Sequence, residues 1–250
     1  MLAGPVGADL AIAGPPFRTD DPEPVDFHHW EVYIGSQLSH DRDAVTGTAP
    51  HLEVNNGPLP DLQLHVIVPL AYAQPSGSAF AAGLGDIEVG AKYRFLHETG
   101  SLPQIGTFPL LKIPTGDQTR SLGNGKPQLF VPIWIQKSWG SWTSYGGGGY
   151  WRNPGPGNRD YWFGGWEGQY SLTSSCTMGA ELLHATANTV DADDQTGFNI
   201  GVILDFNEEE HLLFSAGRDF RGSNLMSAYL AFQWTLGPPE AESTPGDAPR

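Results

Sequence analysis

The stretch GDIEVGAKYRFL, Gly85 to Leu96, alternates almost without interruption. Ile87, Val89, Ala91, Tyr93 and Phe95 fall on one side of an extended chain, and Asp86, Glu88, Gly90, Lys92 and Arg94 on the other. Successive side chains of a strand point to opposite faces, so this segment has one oily wall and one charged wall. In a soluble sandwich the oily wall is buried and the charges are wet. In a membrane barrel lipid touches the oily wall and the charges line a lumen. The remaining sequence chooses between the two.

Composition favours the barrel. Of 250 residues, 39% are hydrophobic and 16% charged, against about 25% charged in an ordinary soluble domain. There is no apolar run of about 18 residues to form a spanning helix. A barrel strand meets lipid only every second residue, so mean hydropathy, here -0.29, stays low. The formal net charge of -15 opposes nucleic-acid binding, which needs Lys and Arg to displace phosphate counterions. Cys176 is the only cysteine, so an intrachain disulfide and a four-thiolate metal site are both excluded.

Outward from Gly85, the chain falls into about twelve alternating segments bounded by Gly, Pro, Asn and Asp. They cover residues 28–38, 49–56, 62–73, 84–96, 104–113, 127–137, 142–151, 161–172, 176–187, 197–206, 211–219 and 225–236. Many are about 10 to 13 residues long, whereas soluble strands cluster near 5 to 6. Ten residues tilted by about 40° rise about 25 Å, the height of a barrel's apolar band. Connections alternate too. Those after segments 2, 4, 6, 8 and 10 are short (GPLPD, HETGSLP, SWGS, TSS, NEEE). Those after 1, 3, 5, 7 and 9 are longer, from SHDRDAVTGT and QPSGSAFAAG to PTGDQTRSLGNGK, RNPGPGNRD and NTVDADDQT. Short periplasmic turns opposite longer external loops are the habit of outer-membrane barrels.

Charge placement agrees. The registers Trp30, Val32, Ile34; Leu62, Leu64, Val66, Val68; Leu129, Val131, Ile133, Ile135; and Phe198, Ile200, Val202, Leu204, Phe206 carry no charge. Phe232, Trp234 and Leu236 form another such register. Tyr72, Phe95, Trp142, Trp162, Phe206 and Trp234 near segment ends suit interfacial girdles. Pro69, Pro109 and Pro132 inside segments predict bulges or breaks, since each lacks a ladder donor. The run Gly146 to Gly149 predicts a sharp bend, or a place where a plug meets the wall.

The expected fold is therefore all-β: an antiparallel up-and-down transmembrane barrel over residues 28–236. Residues 14–27 form an extended N-terminal segment, and residues 237–250 a disordered, acidic, Pro-rich tail. Residues 1–13 read either as the truncated end of a signal peptide, with Ala11-Ile12-Ala13 as cleavage site, or as an Ala/Gly-rich loose terminus.

Several phrases bear a resemblance. GPPFRTDDPEPVDFHHWEVYIGSQ, PHLEVNNGPLPDLQLHVIVPLAYA, GLGDIEVGAKYRFL and the long LGNGKPQLFVPIWIQKSWGSWTSYGGGGYWRNPGPGNRDYWFGGW are among them. With GAELLHATANT and HLLFSAGRDF, they resemble a bacterial family of MetA-pathway phenol-degradation or "transporter" proteins, over nearly all of Gly14 to Leu236. The resemblance implies an outer-membrane barrel of a Gram-negative bacterium that carries small, aromatic compounds. It supplies no catalytic or ligand residues.

The residues expected to line the solute path are Asp86, Glu88, Lys92, Arg94, Lys112, Glu167, Glu181 and Asp205. Lys92 and Arg94 in a narrow lumen require pairing, expected from Glu and Asp across the barrel. A salt-bridged wall and a polar ladder for solute are both open readings. The Thr19 to Glu23 stretch, TDDPE, could bind calcium, though a solvated extended segment or a periplasmic plug fits it better. No dinucleotide, phosphate-loop, serine-elbow or zincin motif is present. No metal and no cofactor are expected. Expected partners are the lipid bilayer, the barrel-assembly machinery during insertion and a small-molecule solute, with the protein monomeric and no nucleic acid bound. The expected function is passive, cation-preferring diffusion of small solutes. Two alternatives stand beside it: an outer-membrane lipid-modifying enzyme built on His184 and a Ser at the same height on a neighbouring strand, and a soluble ligand-binding barrel.

Overall fold

The computed structural model describes residues 14–238, so the signal-peptide reading and most of the acidic tail lie outside the described residues. Twelve antiparallel strands close into one barrel. They are β1 (Trp30–His40), β2 (Ala44–Leu59), β3 (Leu62–Pro75), β4 in two pieces (Ala81–Leu84 and Ile87–Leu96) and β5 in two pieces (Gln104–Thr107 and Leu110–Ile113). Next come β6 (Gln128–Trp139), β7 (Trp142–Arg152), β8 (Tyr161–Thr173) and β9 (Cys176–Ala185). The last are β10 (Gln195–Asp205), β11 (Glu210–Arg221) and β12 (Met226–Leu236). Each strand pairs with its neighbours in the chain. β1 also pairs with β12, from Trp30↔Leu236 to His40↔Met226, which seals the sheet and leaves no edge for another chain to join.

The alternation in the sequence sets which wall faces out. Ile34, Leu64, Val131, Ile133 and Ile200 are each about half exposed, while Glu53, Glu88, Lys92, Glu167 and Glu181 on the opposite faces are buried. The greasy register is thus the outer surface, and the soluble-barrel reading falls. Aromatic rings mark both rims of this surface. Trp142 with Tyr170 and Phe232 with Trp234 pair at the short-turn end, and Tyr150 with Trp162 at the other.

Two expected long loops are corrected. β1 runs to His40 and β2 starts at Ala44, so only 41–43 connect them. There the Asp41 carboxylate takes the backbone N–H groups of Asp43 and Ala44, an Asx-type turn that lets the Val45 and Thr46 backbone continue the ladder. β3 likewise runs on to Pro75, leaving 76–80. Long connections persist at 114–127, 153–160 and 186–194 on the same end, opposite turns as short as 140–141 and 174–175.

The prolines account for the breaks. β4 is interrupted at Gly85 and Asp86 beside Pro69, whose carbonyl still accepts from the Gly85 N–H. β5 is interrupted at Phe108 and Pro109 beside Pro132, whose carbonyl accepts instead from the Thr107 hydroxyl at 2.6 Å. β7 runs unbroken through the glycine run, Gly146 to Gly149. Gly147, at φ 146°, passes so close to the Ile133 carbonyl that a Cβ there would collide with it.

The interior is not polar throughout. Phe108, Leu110, Phe130, Trp134, Trp151, Phe163 and Leu183 form a buried cluster on the inner faces of β5 to β9, towards the long-loop end. Phe130 and Trp151 stack at 4.8 Å.

Candidate functional site

Residues 14–27 thread the lumen before the chain enters β1, and the wall is shaped to receive them. Phe17 is buried against Gly179 and Gly201, where a Cβ would lie 2.7 Å from the Phe17 ring. Thr19 presses on Gly165 in the same way. Glycine at these inward positions therefore leaves room for a segment that any larger residue would displace. The backbone N–H groups of Arg18 and Thr19 donate to the two oxygens of Glu181 at 2.9 and 2.8 Å. The Val25 N–H donates to Gln63, and the side chains of Gln104 and Gln136 both donate to Glu23.

Lys92 completes the anchoring. Its ammonium donates to Asp20 at 2.9 Å, to Asp21 at 3.4 Å and to the Glu23 carbonyl at 3.2 Å. The carboxylates that neutralise it come from the N-terminal segment, not from strands across the barrel as expected. TDDPE is accordingly neither an extended solvated segment nor a calcium loop: Thr19 and Asp20 are buried, and an ammonium occupies the position a cation would take. Among the described residues no group of three or more His, Cys, Asp or Glu side chains is arranged to hold a metal.

The other expected residues separate into distinct roles. Asp86 sits in the break of β4 and accepts from the Gly116 and Asn124 N–H groups, holding down the 114–127 loop. Glu88 is buried 3.4 Å from His65, and Lys112, its cross-strand partner, lies over the Trp151 ring. Arg94 reaches the β2–β3 turn, donating to Asp61 at 2.9 Å, and also donates to Gln104. Glu167 is fully buried opposite Glu181 on β8 and β9. Asp205 pairs with His211 at 2.7 Å near the short-turn end. Asp61 itself lies outside the strands. Burial pushes its carboxyl up, but Arg94 and His97 more than offset this and hold it below the usual carboxylate range.

Beside the threaded segment lies a cavity of about 460 Å³ on the short-turn side. Its walls are mainly amides, hydroxyls and acids: Asn55, Gln136, Gln169 and Gln233, Tyr33 and Tyr145, and Asp21, Glu23, Glu31 and Glu53. Of these acids, the sequence reading placed none on the solute path, although Asp21 and Glu23 belong to the TDDPE stretch it singled out. Glu31 and Glu53 do alternate inward in WEVY and HLEVN, a signal that was available.

His184 faces lipid. Its cross-strand partners are Gly164 and Thr196, so the serine required by the hydrolase reading stands on neither. Its imidazole shares a hydrogen bond with the Thr196 hydroxyl at 2.9 Å.

A sealed twelve-strand barrel with an apolar outer band and a filled polar interior is an outer-membrane type of β-barrel, and solved structures of that type share this fold. The chain is similar to the COG4313 outer membrane channel from Pseudomonas putida F1 (TM-score 0.74, 15% identity, 86% of this chain and 98% of that one). It is similar also to the translocator domain of the autotransporter NalP from Neisseria meningitidis (0.58, 10%, 84% and 90%). A third likeness is to the KdgM porin in complex with disordered oligogalacturonate (0.56, 11%, 82% and 99%). No family model matches the chain, and neither does any curated protein sequence.

Proposed function

We propose that this protein is a monomeric outer-membrane channel that passes small polar solutes by passive diffusion, with residues 14–27 as a stopper within the path. The observation that carries the reading is the polar cavity of about 460 Å³ inside a sealed barrel, lying against a segment held by hydrogen bonds and ion pairs rather than by a continuous apolar core. Anchors that border the cavity, such as those on Glu23, are reversible at modest cost, since water there can replace a lost partner. The acids facing the cavity give the path a cation preference. The likeness to structures described as an outer membrane channel and as porins supports the same reading.

Refolded protein in planar bilayers tests this. Stepwise conductance, a reversal potential in a salt gradient that favours cations, and larger steps after deletion of residues 14–27 are expected. A barrel that inserts yet stays electrically silent with the segment deleted would overturn the channel, and a preference for anions would overturn the proposed charge of the path.

A further inference from the structure

The inner wall of β1 and β2 carries a compact patch in which Tyr33 lies opposite Glu53, and Glu31 opposite Asn55. Each carboxylate already spends one oxygen inside the patch. Tyr33 donates to Glu31 Oε2 at 2.6 Å, and Asn55 donates to Glu53 Oε1 at 3.0 Å. Glu53 is 2% exposed and lines the cavity, and its Oε2 has no hydrogen-bond partner. A buried carboxylate oxygen without a donor is costly, and at the edge of a cavity it calls for a partner, whether water, an ion or a ligand group.

The charge of that missing partner follows from the surroundings. Four carboxylates border the cavity at Asp21, Glu23, Glu31 and Glu53, and among its described lining residues the single basic side chain is Lys92. Lys92 is already engaged by Asp20 and Asp21. His65, 3.7 Å from Glu53 Oε1, lies behind the wall and is shared with Glu88, so no cationic donor faces the cavity at Glu53 Oε2. Its remaining walls, Gln63, Gln136, Gln169 and Gln233 with Thr143 and Tyr145, offer hydrogen bonds in both directions, whereas its apolar lining is limited to Val25, Ile203 and prolines. A hydroxylated solute bearing one ammonium would satisfy both the amides and the free carboxylate oxygen, and the volume lies within the range of small-molecule sites.

We propose that this cavity binds a small hydrophilic primary amine, of the amino-sugar type, with its ammonium on Glu53 and its hydroxyls on the surrounding amides. The inference rests on the lumen being the solute's route and adds the class of solute.

Calorimetry on the full chain refolded in detergent, at a pH where the amine is charged, compares glucosamine with glucose, which differ in an ammonium against a hydroxyl. Glucosamine is expected to bind more tightly by about tenfold or more, and Glu53→Gln to erase most of that margin while leaving glucose where it was. Equal binding of the two sugars, or glucosamine binding unchanged in Glu53→Gln, overturns the site. So does magnesium chloride alone binding in Glu53's place while glucosamine does not. Should Glu53→Gln fail to fold, Glu53→Asp, which draws the carboxylate back from the ammonium, carries the same comparison. Binding needs no current, so the two readings fail separately: conductance without glucosamine binding removes the site and leaves the channel, and binding in a silent barrel does the reverse.

Discussion

The Lys92 ammonium lies 2.9 Å from the Asp20 carboxylate, 72 positions earlier in the chain, with Asp20 fully buried and Lys92 nearly so. This ion pair clips the threaded segment to the inner face of β4. Asp20 has no water to replace this partner, so the segment and the wall are energetically coupled at this point.

Removing one member should therefore release the other. Lys92→Met leaves Asp20 buried without its counter-charge, a defect of about 3–5 kcal/mol in comparable buried pairs. The segment is expected to leave the lumen while the barrel stays closed. Protease cleavage within residues 14–27 of the folded protein should rise and the conductance step should grow. The double variant Lys92→Met with Asp20→Asn should recover much of the protection, which a thermodynamic cycle would measure as a coupling energy.

A steric route should reach the same state without touching charge. Gly201→Ala places a methyl within 2.8 Å of two Phe17 ring atoms. Phe17 must withdraw from its pocket, so the heat-stable mobility of the barrel on gels should persist while segment protection falls. Gly168→Ala, whose added carbon meets nothing within 4 Å, should change neither.

The outer surface makes a separate demand. Ile200 sits mid-strand on β10 and is half exposed on the lipid face. Ile200→Arg should cost about 2–4 kcal/mol of folding into liposomes, as for a charge at the bilayer midplane, measured by urea titration. Asn199→Ser, one residue away on the lumen side, should leave that titration far less altered.

Asp61 gives the short-turn end a defined acid response. Its folded carboxyl titrates below the unfolded value of about 3.9. The stability it supplies is thus complete above that value and lost as pH falls through the lower, folded one. Asp61→Asn should flatten this loss between wild type and variant in an acid titration of barrel unfolding. Asparagine tolerates the φ of 63° that the turn requires, so the turn itself should survive.

The alternation in GDIEVGAKYRFL divided the two walls, and strand length, loop alternation and composition then chose which of them faces out. The same logic located all twelve strands, including those broken at Gly85–Asp86 and Phe108–Pro109. What the sequence concealed were contacts between distant residues. Nothing near Asp20 announces Lys92, and nothing near Thr19 announces Glu181, since ion pairs across a lumen leave no local period. The inner apolar cluster was concealed for another reason. In LFVPIWI both registers are apolar, so the outward residues Val131 and Ile133 masked the inward Phe130 and Trp134. The loops after β1 and β3 looked long because their Thr, Gly and Ala residues read as irregular, yet hydrogen bonding carries both strands on beyond them.

The threaded residues are continuous with β1, the strand that meets β12 at the closing seam. As the stopper of the proposed channel, a segment tethered in this way would be present once per barrel, at an effective concentration on the order of millimolar whenever it is out. Each departure is consequently a unimolecular excursion with a built-in return. In the proposed channel, occlusion would then need no second protein and be indifferent to how many copies share the membrane.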